Sequence, residues 1–413
     1  MADEIVLPIP NLSIPQSLFV LSRPTHAHLH DKARQEVIAG IKADNMAPYY
    51  KLITTPTPLS PSSSSSSPSS SSPGSTAASG SGSGVVIPLD SALLAEMEAA
   101  NEAELKKLDD RLAEAHKTEG EMEISDALKA RANYLTRIGS KDLAIEAQKL
   151  ALEKTPGLGS RIDIVLTIVR IAFFFADNDL LTSHLAKAEA LIEEGGDWDR
   201  RNRLKVYTGL HALSIRQFSR AATLFIDALS TFTASELLPY NDFVGMTVVA
   251  GALTLGRVEL KKKIIAAPEV NQVLPELPVL GDLVKNLYDC HYDKFFVALA
   301  TLEQTHLLPS RLLAPHARFY VREMRILAYT QLLESYRSLT MASLSTAFGV
   351  SEGFIDSELS RFIANGRLHC TIDKVHGIVE TTRPSKKNAQ YETVVRQGDV
   401  LLNEVQRLSK VLV

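Results

Sequence analysis

A repeating pair of helices, about 38 to 40 residues long, is the feature that most constrains how this chain can fold. In each pair, a helix with a dense apolar face is followed by a short polar turn and a second helix richer in alanine. The turns are Gly139-Ser140-Lys141, Asp177-Asn178-Asp179 and Arg216-Gln217-Phe218. Neighbouring pairs of this kind bury one another's apolar faces and build tetratricopeptide-like right-handed superhelices. We therefore predict a mainly α, helical-repeat fold.

The second helix of each predicted pair carries small residues where adjacent helices would approach closely. We predict these helices over residues 143–152, 180–192 and 219–232. The small residues are Ala144, Ala147, Ala186, Ala190, Ala221 and Ala222. The Gly195-Gly196 pair is predicted to end the middle unit, because glycine accepts the left-handed backbone of a helix C-cap.

A different pattern begins after Tyr336. Two helices are predicted over residues 343–348 and 352–364, followed by two alternating strands over residues 368–372 and 377–381. A helix, a turn, a second helix and a β-hairpin make a winged helix, here spanning residues 340–384. The tail, residues 386–413, is predicted to be one more helix. Its apolar side chains fall on a heptad seam, formed by Val394, Leu401, Val405, Leu408 and Leu412.

The N-terminal part of the chain is less regular. Residues 1–53 mix short apolar runs with prolines such as Pro8, Pro10, Pro15 and Pro24, and we expect them to be partly ordered at best. Residues 54–84 are rich in serine, proline and glycine and cannot bury enough surface to order themselves, which predicts a disordered linker. A long amphipathic helix is predicted to begin near Asp90 or Ser91. Its apolar stripe is Leu94, Met97, Leu105, Leu108 and Leu112.

Charge and composition exclude several functional classes. The net charge is −4 and the pI is about 6.3, which gives no general attraction to nucleic acid or an acidic membrane. The second helix of the predicted winged helix carries three acidic residues and one basic residue, a poor match for phosphate. Two distant cysteines favour a reducing compartment, and neither a secretory signal nor a spanning segment is recognised. We expect a soluble protein of the cytoplasm and nucleus.

Candidate chemistry is sparse, and we predict no catalytic residue, no metal site and no cofactor. His26, His28 and His30 alternate like a ligand cluster, but the serine that follows the H-x-H motif of zinc deubiquitinases by eight residues is replaced by Glu36 and Ile38. We therefore interpret these three histidines as an exposed patch rather than a metal site. Two His–Cys neighbours, Cys290-His291 and His369-Cys370, lack the spacing of a zinc site. The sequence also contains no phosphate-binding loop and no nucleophile elbow.

Several segments of the C-terminal region resemble the PCI family, named for its occurrence in proteasome lid, signalosome and initiation-factor complexes. The most specific segment is Gly366-Arg-Leu-His-Cys370 with Ile372-Asp-Lys374. It is supported by residues 320–325, 331–337, 347–350, 354–363 and 378–384. The resemblance covers about Glu96 to the C-terminus and is strongest to proteasome-lid members. It implies N-terminal helical repeats over residues 85–215, a PCI domain over residues 216–385 and a C-terminal bundle helix over residues 386–413.

The resemblance also implies what such a chain does: it is a non-catalytic scaffold for lid assembly. PCI winged helices pair strand edges between subunits, and the terminal helices gather into a bundle. The implied partners are other lid PCI subunits and the helical bundle, with the ATPase ring and the core particle as further candidates. A signalosome scaffold and, in another class, a winged-helix nucleic-acid-binding factor are the alternatives. The implied interface residues are Leu368, Cys370, Ile372, Ile378, Glu380, Leu401, Val405, Leu408 and Leu412.

Overall fold

The computed structural model describes residues 6–54, 90–118, 120–382 and 386–412 and confirms a mainly α fold. The chain divides into two compact units: one takes in the described residues up to Leu280 together with Leu302–Ala317, and the other comprises Gly281–Thr301 and the residues from Arg318 onward. The helices that lie wholly or mostly in the first unit are α1 Ser13–Leu21, α2 His30–Ala43, α3 Ala47–Thr54, α4 Ser91–Thr118, α5 Glu121–Arg137, α6 Lys141–Lys154, α7 Leu158–Phe175, α8 Asn178–Gly195, α9 Trp198–Ser214, α10 Phe218–Ala228, α11 Tyr240–Thr254, α12 Arg257–Leu260 and α13 Pro268–Val273. Those of the second unit are α14 Pro278–Tyr288, α15 Tyr292–Leu302, α16 Ala317–Ser335, α17 Met341–Phe348, α18 Glu352–Ala364 and α19 Lys386–Leu412, with strands β1 Ser338–Thr340, β2 Cys370–Asp373 and β3 Ile378–Thr381.

The expectation that the N-terminal residues are partly ordered at best is wrong for residues 6–54. They form α1, α2 and α3, whose apolar side chains share one core with α4 and α7. The fully buried members include Ile14, Val37, Ile41 and Met46. The prolines do not prevent this, because Pro15 lies in the first turn of α1, where the backbone N–H would have no helical partner in any case.

The helices on either side of the predicted linker, α3 and α4, are bonded to each other. Residues 55–84 of the linker lie outside the described part of the chain, but the positions that flank the undescribed segment, 54 and 90, are held close together. The backbone N–H of Asp90 donates to the Tyr50 hydroxyl oxygen at 3.0 Å, and the Asn101 side-chain amide donates to the Asn45 carbonyl at 2.9 Å. An ion pair between Lys51 and Glu98 adds a third link between α3 and α4. The helices that precede and follow the segment, α3 and α4, therefore contact each other.

We expect that residues 56–88 can be replaced by a Gly-Ser link of about eight residues without loss of stability, because loop-closure entropy favours the shorter connection by about 1 kcal/mol. The measurement is the free energy of unfolding by urea denaturation. Doubling the segment is the matched control and should lower the stability by about 0.6 kcal/mol. A loss of several kcal/mol on shortening would show that these residues contribute packing of their own.

The predicted helix pairs are present as α5–α6, α7–α8 and α9–α10, and each predicted turn lies between the two helices of a pair. Consecutive turns are linked, since the Lys141 ammonium lies 2.8 Å from Asp177 Oδ2. This hydrogen bond, with another from the Leu180 backbone N–H, holds the pKa of the Asp177 carboxyl below its usual value. The contact between α9 and α10 requires glycine at position 209, because a Cβ there would lie 2.5 Å from Phe225. This pair spans the proposed boundary between residues 215 and 216, which remains a prediction.

The buried alanine of the middle pair is not one that the sequence pattern selected. Ala186 and Ala190 are exposed, and Ala188 is fully buried instead. The buried stripe of α8 is formed by Leu181, Leu185, Ala188 and Ile192, whose spacing of four, three and four residues fixes the helix register. The four other predicted alanines, Ala144, Ala147, Ala221 and Ala222, are buried. The helix ends at Gly195, as predicted, but Gly196 has an ordinary φ of −70° rather than a left-handed one.

Two substitutions on α8 should separate these positions. Ala188→Leu inserts three carbon atoms into a packed contact and is expected to destabilise the protein by about 1–3 kcal/mol. Ala186→Leu places the same side chain in solvent and should change stability by less than about 0.5 kcal/mol. Urea denaturation of both variants checks this, and equal effects would contradict the register described above.

The second unit is organised around an aromatic cluster at the base of the winged helix. The Tyr329 ring on α16 lies 4.6 Å from Phe348 on α17 and 6.2 Å from Phe362 on α18, measured between ring centroids. Phe296 on α15 lies 5.0 Å from Phe348. Burial and the neighbouring Glu358 raise the pKa of Tyr329, so its hydroxyl remains a hydrogen-bond donor to that carboxylate. The cluster therefore fixes α17 and α18 on α16.

Candidate subunit interface

The winged helix contains three strands rather than the predicted two, in the order β1-β3-β2. Both neighbours are antiparallel to β3, with Leu339 opposite Val379 on one side and Ile372 opposite Val379 on the other. The predicted interface residues Ile378 and Glu380 therefore lie on the central strand, whose backbone is paired on both sides. Of the two predicted strands, only β2 lies at an edge of the sheet.

The hydrogen-bonding pattern shows which backbone groups of β2 face that edge. The Thr382 N–H donates to the His369 carbonyl at 3.0 Å, so His369 bonds inward to the strand of β3. Inward and outward positions alternate along an antiparallel strand. Thr371 therefore also bonds inward, whereas the N–H and C=O groups of Cys370 and Ile372 point outward. These are the groups that an additional strand would use.

The side chains of the same segment are less available than its backbone. Leu368 and Cys370 are buried, and Ile372 is half-buried. Burial also raises the pKa of the Cys370 thiol, which keeps it protonated. Leu368 and Cys370 are predicted interface residues, but because their side chains are buried they can contact a partner only through their main-chain groups. The adjoining turn is held by Asp373, which accepts hydrogen bonds from the Val375 N–H and His376, and these bonds lower the pKa of the Asp373 carboxyl.

The sequence pattern missed β1 because its residues also carry a helix signal. Ser338, Leu339 and Thr340 are too few to show a clear alternation. In addition, Thr340 is the N-cap of α17, where its hydroxyl oxygen accepts from the Ser343 N–H at 3.2 Å. A serine- or threonine-rich segment before a helix is normally interpreted as a cap, so the strand could be found only from its pairing with β3.

Helix α19 carries more exposed large apolar side chains than any other described helix. Each of its side chains whose accessibility is described is exposed, including Leu401 at 62%, Val405 at 62% and Leu408 at 63%. Tyr391, Val395 and Leu402 are exposed too and widen the predicted seam to a stripe of about 140° around the helix. Leu412 is its last residue, and its side chain lies outside the described set. A stripe of this width suits a groove between several helices better than a single partner helix.

In many winged helices the second helix reads DNA, and here two of its three acidic groups are engaged within the chain. Glu358 accepts from Arg325 at 2.6 Å, and Asp356 lies 3.0 Å from the Lys374 ammonium. Phe354 is exposed on the same helix, α18. With three acidic residues and one basic residue, this face offers little attraction to a phosphate backbone.

The histidine patch is only partly as expected. His28 is exposed, but His26 is buried within a short 3-10 segment, Pro24–Leu29, so the expectation of an exposed patch is wrong for His26. Within the described ranges, no three His, Cys, Asp or Glu side chains are grouped to hold a metal ion. In the same part of the chain, no helix is both long and apolar enough to cross a membrane.

Comparison with known proteins gives a consistent family. The family descriptions that match are "26S proteasome subunit RPN7" over residues 90–263, "PCI domain" over residues 290–383 and "26S proteasome regulatory subunit RPN7/PSMD6 C-terminal helix" over residues 390–412. Their positions coincide with the repeats, the winged helix with its supporting helices, and α19.

Individual relatives extend the similarity through the N-terminal helices, beyond the starting point near Glu96. A 26S proteasome non-ATPase regulatory subunit 6 homolog from Arabidopsis thaliana is 43% identical over 98% of this chain and 97% of its own length. The Dictyostelium discoideum 26S proteasome non-ATPase regulatory subunit 6 is 47% identical over 78% of this chain and 84% of its own. COP9 signalosome complex subunit 1b from Drosophila melanogaster is 22% identical over 61% of this chain. The chain therefore belongs to the family of 26S proteasome non-ATPase regulatory subunit 6.

Proposed function

We propose that this chain is a non-catalytic scaffold subunit of the lid of the 26S proteasome regulatory particle, acting in the cytoplasm and nucleus without a cofactor. It would support lid assembly and thereby the ATP-dependent degradation of ubiquitinated proteins. Its proposed partners are the other PCI subunits of the lid, with the ATPase ring and the core particle as further neighbours. Family membership and the two exposed surfaces of the second unit support this proposal.

The single observation that carries the proposal is the unpacked apolar stripe of α19. Each leucine or valine of this stripe that becomes fully buried contributes roughly 1.5–3 kcal/mol. Because several such side chains of α19 are exposed to solvent, association of this helix with an apolar partner is strongly favoured. The width of the apolar stripe favours a bundle of several helices over a single partner helix. The residues that would enter the bundle are Val394, Leu401, Val405, Leu408 and Leu412.

The β2 edge is a second, weaker contribution. Its outward N–H and C=O groups at Cys370 and Ile372 can pair with a strand of a neighbouring subunit, as exposed sheet edges do in strand addition. Each such hydrogen bond adds only about 0.5–1.5 kcal/mol. We therefore assign affinity mainly to α19 and orientation mainly to β2.

Two alternatives are less well supported. A signalosome scaffold would share the architecture, but the signalosome relative matches this chain over only 48% of its own length, at 22% identity. A nucleic-acid-binding winged helix would need a basic α18, and this helix carries one basic residue, Arg361.

Charged substitutions in the stripe should block assembly without unfolding the chain. We expect Leu401→Glu combined with Leu408→Glu to reduce incorporation into the lid by at least about tenfold, because buried carboxylates in an apolar bundle are strongly unfavourable. Deleting residues 398–413 should have the same effect. Incorporation is measured by reconstitution with purified lid subunits and quantitative mass spectrometry.

The control places two glutamates on the opposite face of α19. Asn403→Glu combined with Lys410→Glu should assemble as the unchanged protein does. All variants should keep its melting temperature, since every α19 side chain whose accessibility is described is exposed. Normal incorporation of the leucine variants would refute the bundle role.

The edge of β2 can be tested by removing one outward N–H. Ile372→Pro eliminates that donor while the inward bonds of Thr371 remain, so we expect slower or weaker lid incorporation with the fold preserved. Ile372→Ala loses the side chain but keeps the donor, and it should assemble nearly normally. If both variants assemble equally well in the same reconstitution, strand addition at β2 is not used.

A further inference from the structure

The first unit contains a cleft that the proposed scaffold role does not explain. Its volume is about 610 Å³, within the range of small-ligand pockets, and residues of α1, α7, α8, α9, α11 and the segment 305–315 line it. The lining is mostly apolar. Five large side chains there are only half-buried: Leu12, Phe173, Met246, Leu277 and Leu312. A ligand would bury apolar surface that the fold itself leaves open.

One wall of this cleft carries an unpaired carboxylate. Asp242 lies in the first turn of α11, and its side chain has no hydrogen bond or ion pair with any described residue. Asp242 lines the cleft and more than a third of its surface is accessible, while partial burial raises the pKa of its carboxyl by desolvation. A carboxylate held in this way gains free energy from a cation that enters the cleft.

The neighbouring groups do not supply that cation. His306 faces Asp242, but burial lowers the pKa of its imidazole, so the ring is mostly neutral at pH 7. Arg311 also lines the cleft, but its guanidinium is directed to the Phe174 carbonyl at 3.3 Å. Asn178, another lining residue, leaves its side-chain amide without a described partner, and an amide both donates to and accepts from a peptide group.

From this arrangement we infer that the cleft binds a short peptide segment of another protein that presents bulky apolar side chains next to a lysine or arginine. The apolar side chains would pack on Met246, Leu277 and Leu312, the cation would pair with Asp242, and Asn178 would bond the peptide main chain. The charge complementarity at Asp242 selects a basic over an acidic or neutral segment. The site lies in the first unit and is independent of α19 and β2.

The test uses the full chain and two fluorescein-labelled probes, a Gly-Leu-Leu-Lys-Leu-Gly hexapeptide and the same peptide with Gln in place of Lys, measured by fluorescence polarisation. We expect the lysine peptide to bind about tenfold more tightly, the usual effect of one desolvated charged hydrogen bond. Asp242→Asn should remove this preference. Asp227→Asn, which makes the same change on an exposed site of α10 outside the cleft, should retain it.

Filling the cleft gives a second measurement. Met246→Trp should weaken binding of both peptides by about tenfold, while thermal melting confirms that the variant is folded. The inference is overturned if the unchanged chain binds the two peptides equally or binds neither, or if Asp242→Asn keeps the preference for lysine. Lid incorporation of Asp242→Asn should be normal, so a failure here leaves the scaffold role intact.

Discussion

Burial of one helix's apolar stripe against the next holds the first unit together, and most of its other features are adaptations to that packing. A helix pair cannot bury its own apolar surface completely, so each pair depends on the next. The contacts are close where side chains are small, as at Ala188 and at Gly209, which lies against Phe225. The polar links between successive turns, such as Lys141 to Asp177, are only half-buried and contribute little energy, but they fix the register in which the stripes meet.

The same principle explains which parts of the fold could be predicted from the sequence. Apolar periodicity placed the helix pairs and the winged helix, because those patterns are long and regular. It failed at residues 6–54, where short helices are stabilised by contacts with one another and with distant parts of the chain such as α4 and α7. It selected Ala186 and Ala190 because composition alone does not fix a helix register. The strand β1 was missed because Thr340 serves as both strand end and helix cap.

For the candidate interface, the sequence predicted which segments are involved better than it predicted what each residue in them contributes. The helical tail and its seam were recognisable, since leucine and valine recur at heptad spacing. Which of the two predicted strands has a free edge was not recognisable from the sequence. Strand order depends on the pairing of β3 with β1, whose residues lie about forty positions earlier in the chain. That pairing places Ile378 and Glu380 at the centre of the sheet. The peptide cleft had no sequence signal either, because Asp242, His306 and Asn178 come from three separate helical segments.

The close approach of positions 54 and 90 has a consequence for how this chain tolerates variation. A connection whose two ends are pinned by Asp90, Tyr50 and Asn101 can change in length without altering the spacing of α3 and α4. The entropic cost of added residues grows only logarithmically, so selection against insertions at this point is weak. A serine-rich stretch of low complexity can therefore be accommodated there while both flanking helices stay in place.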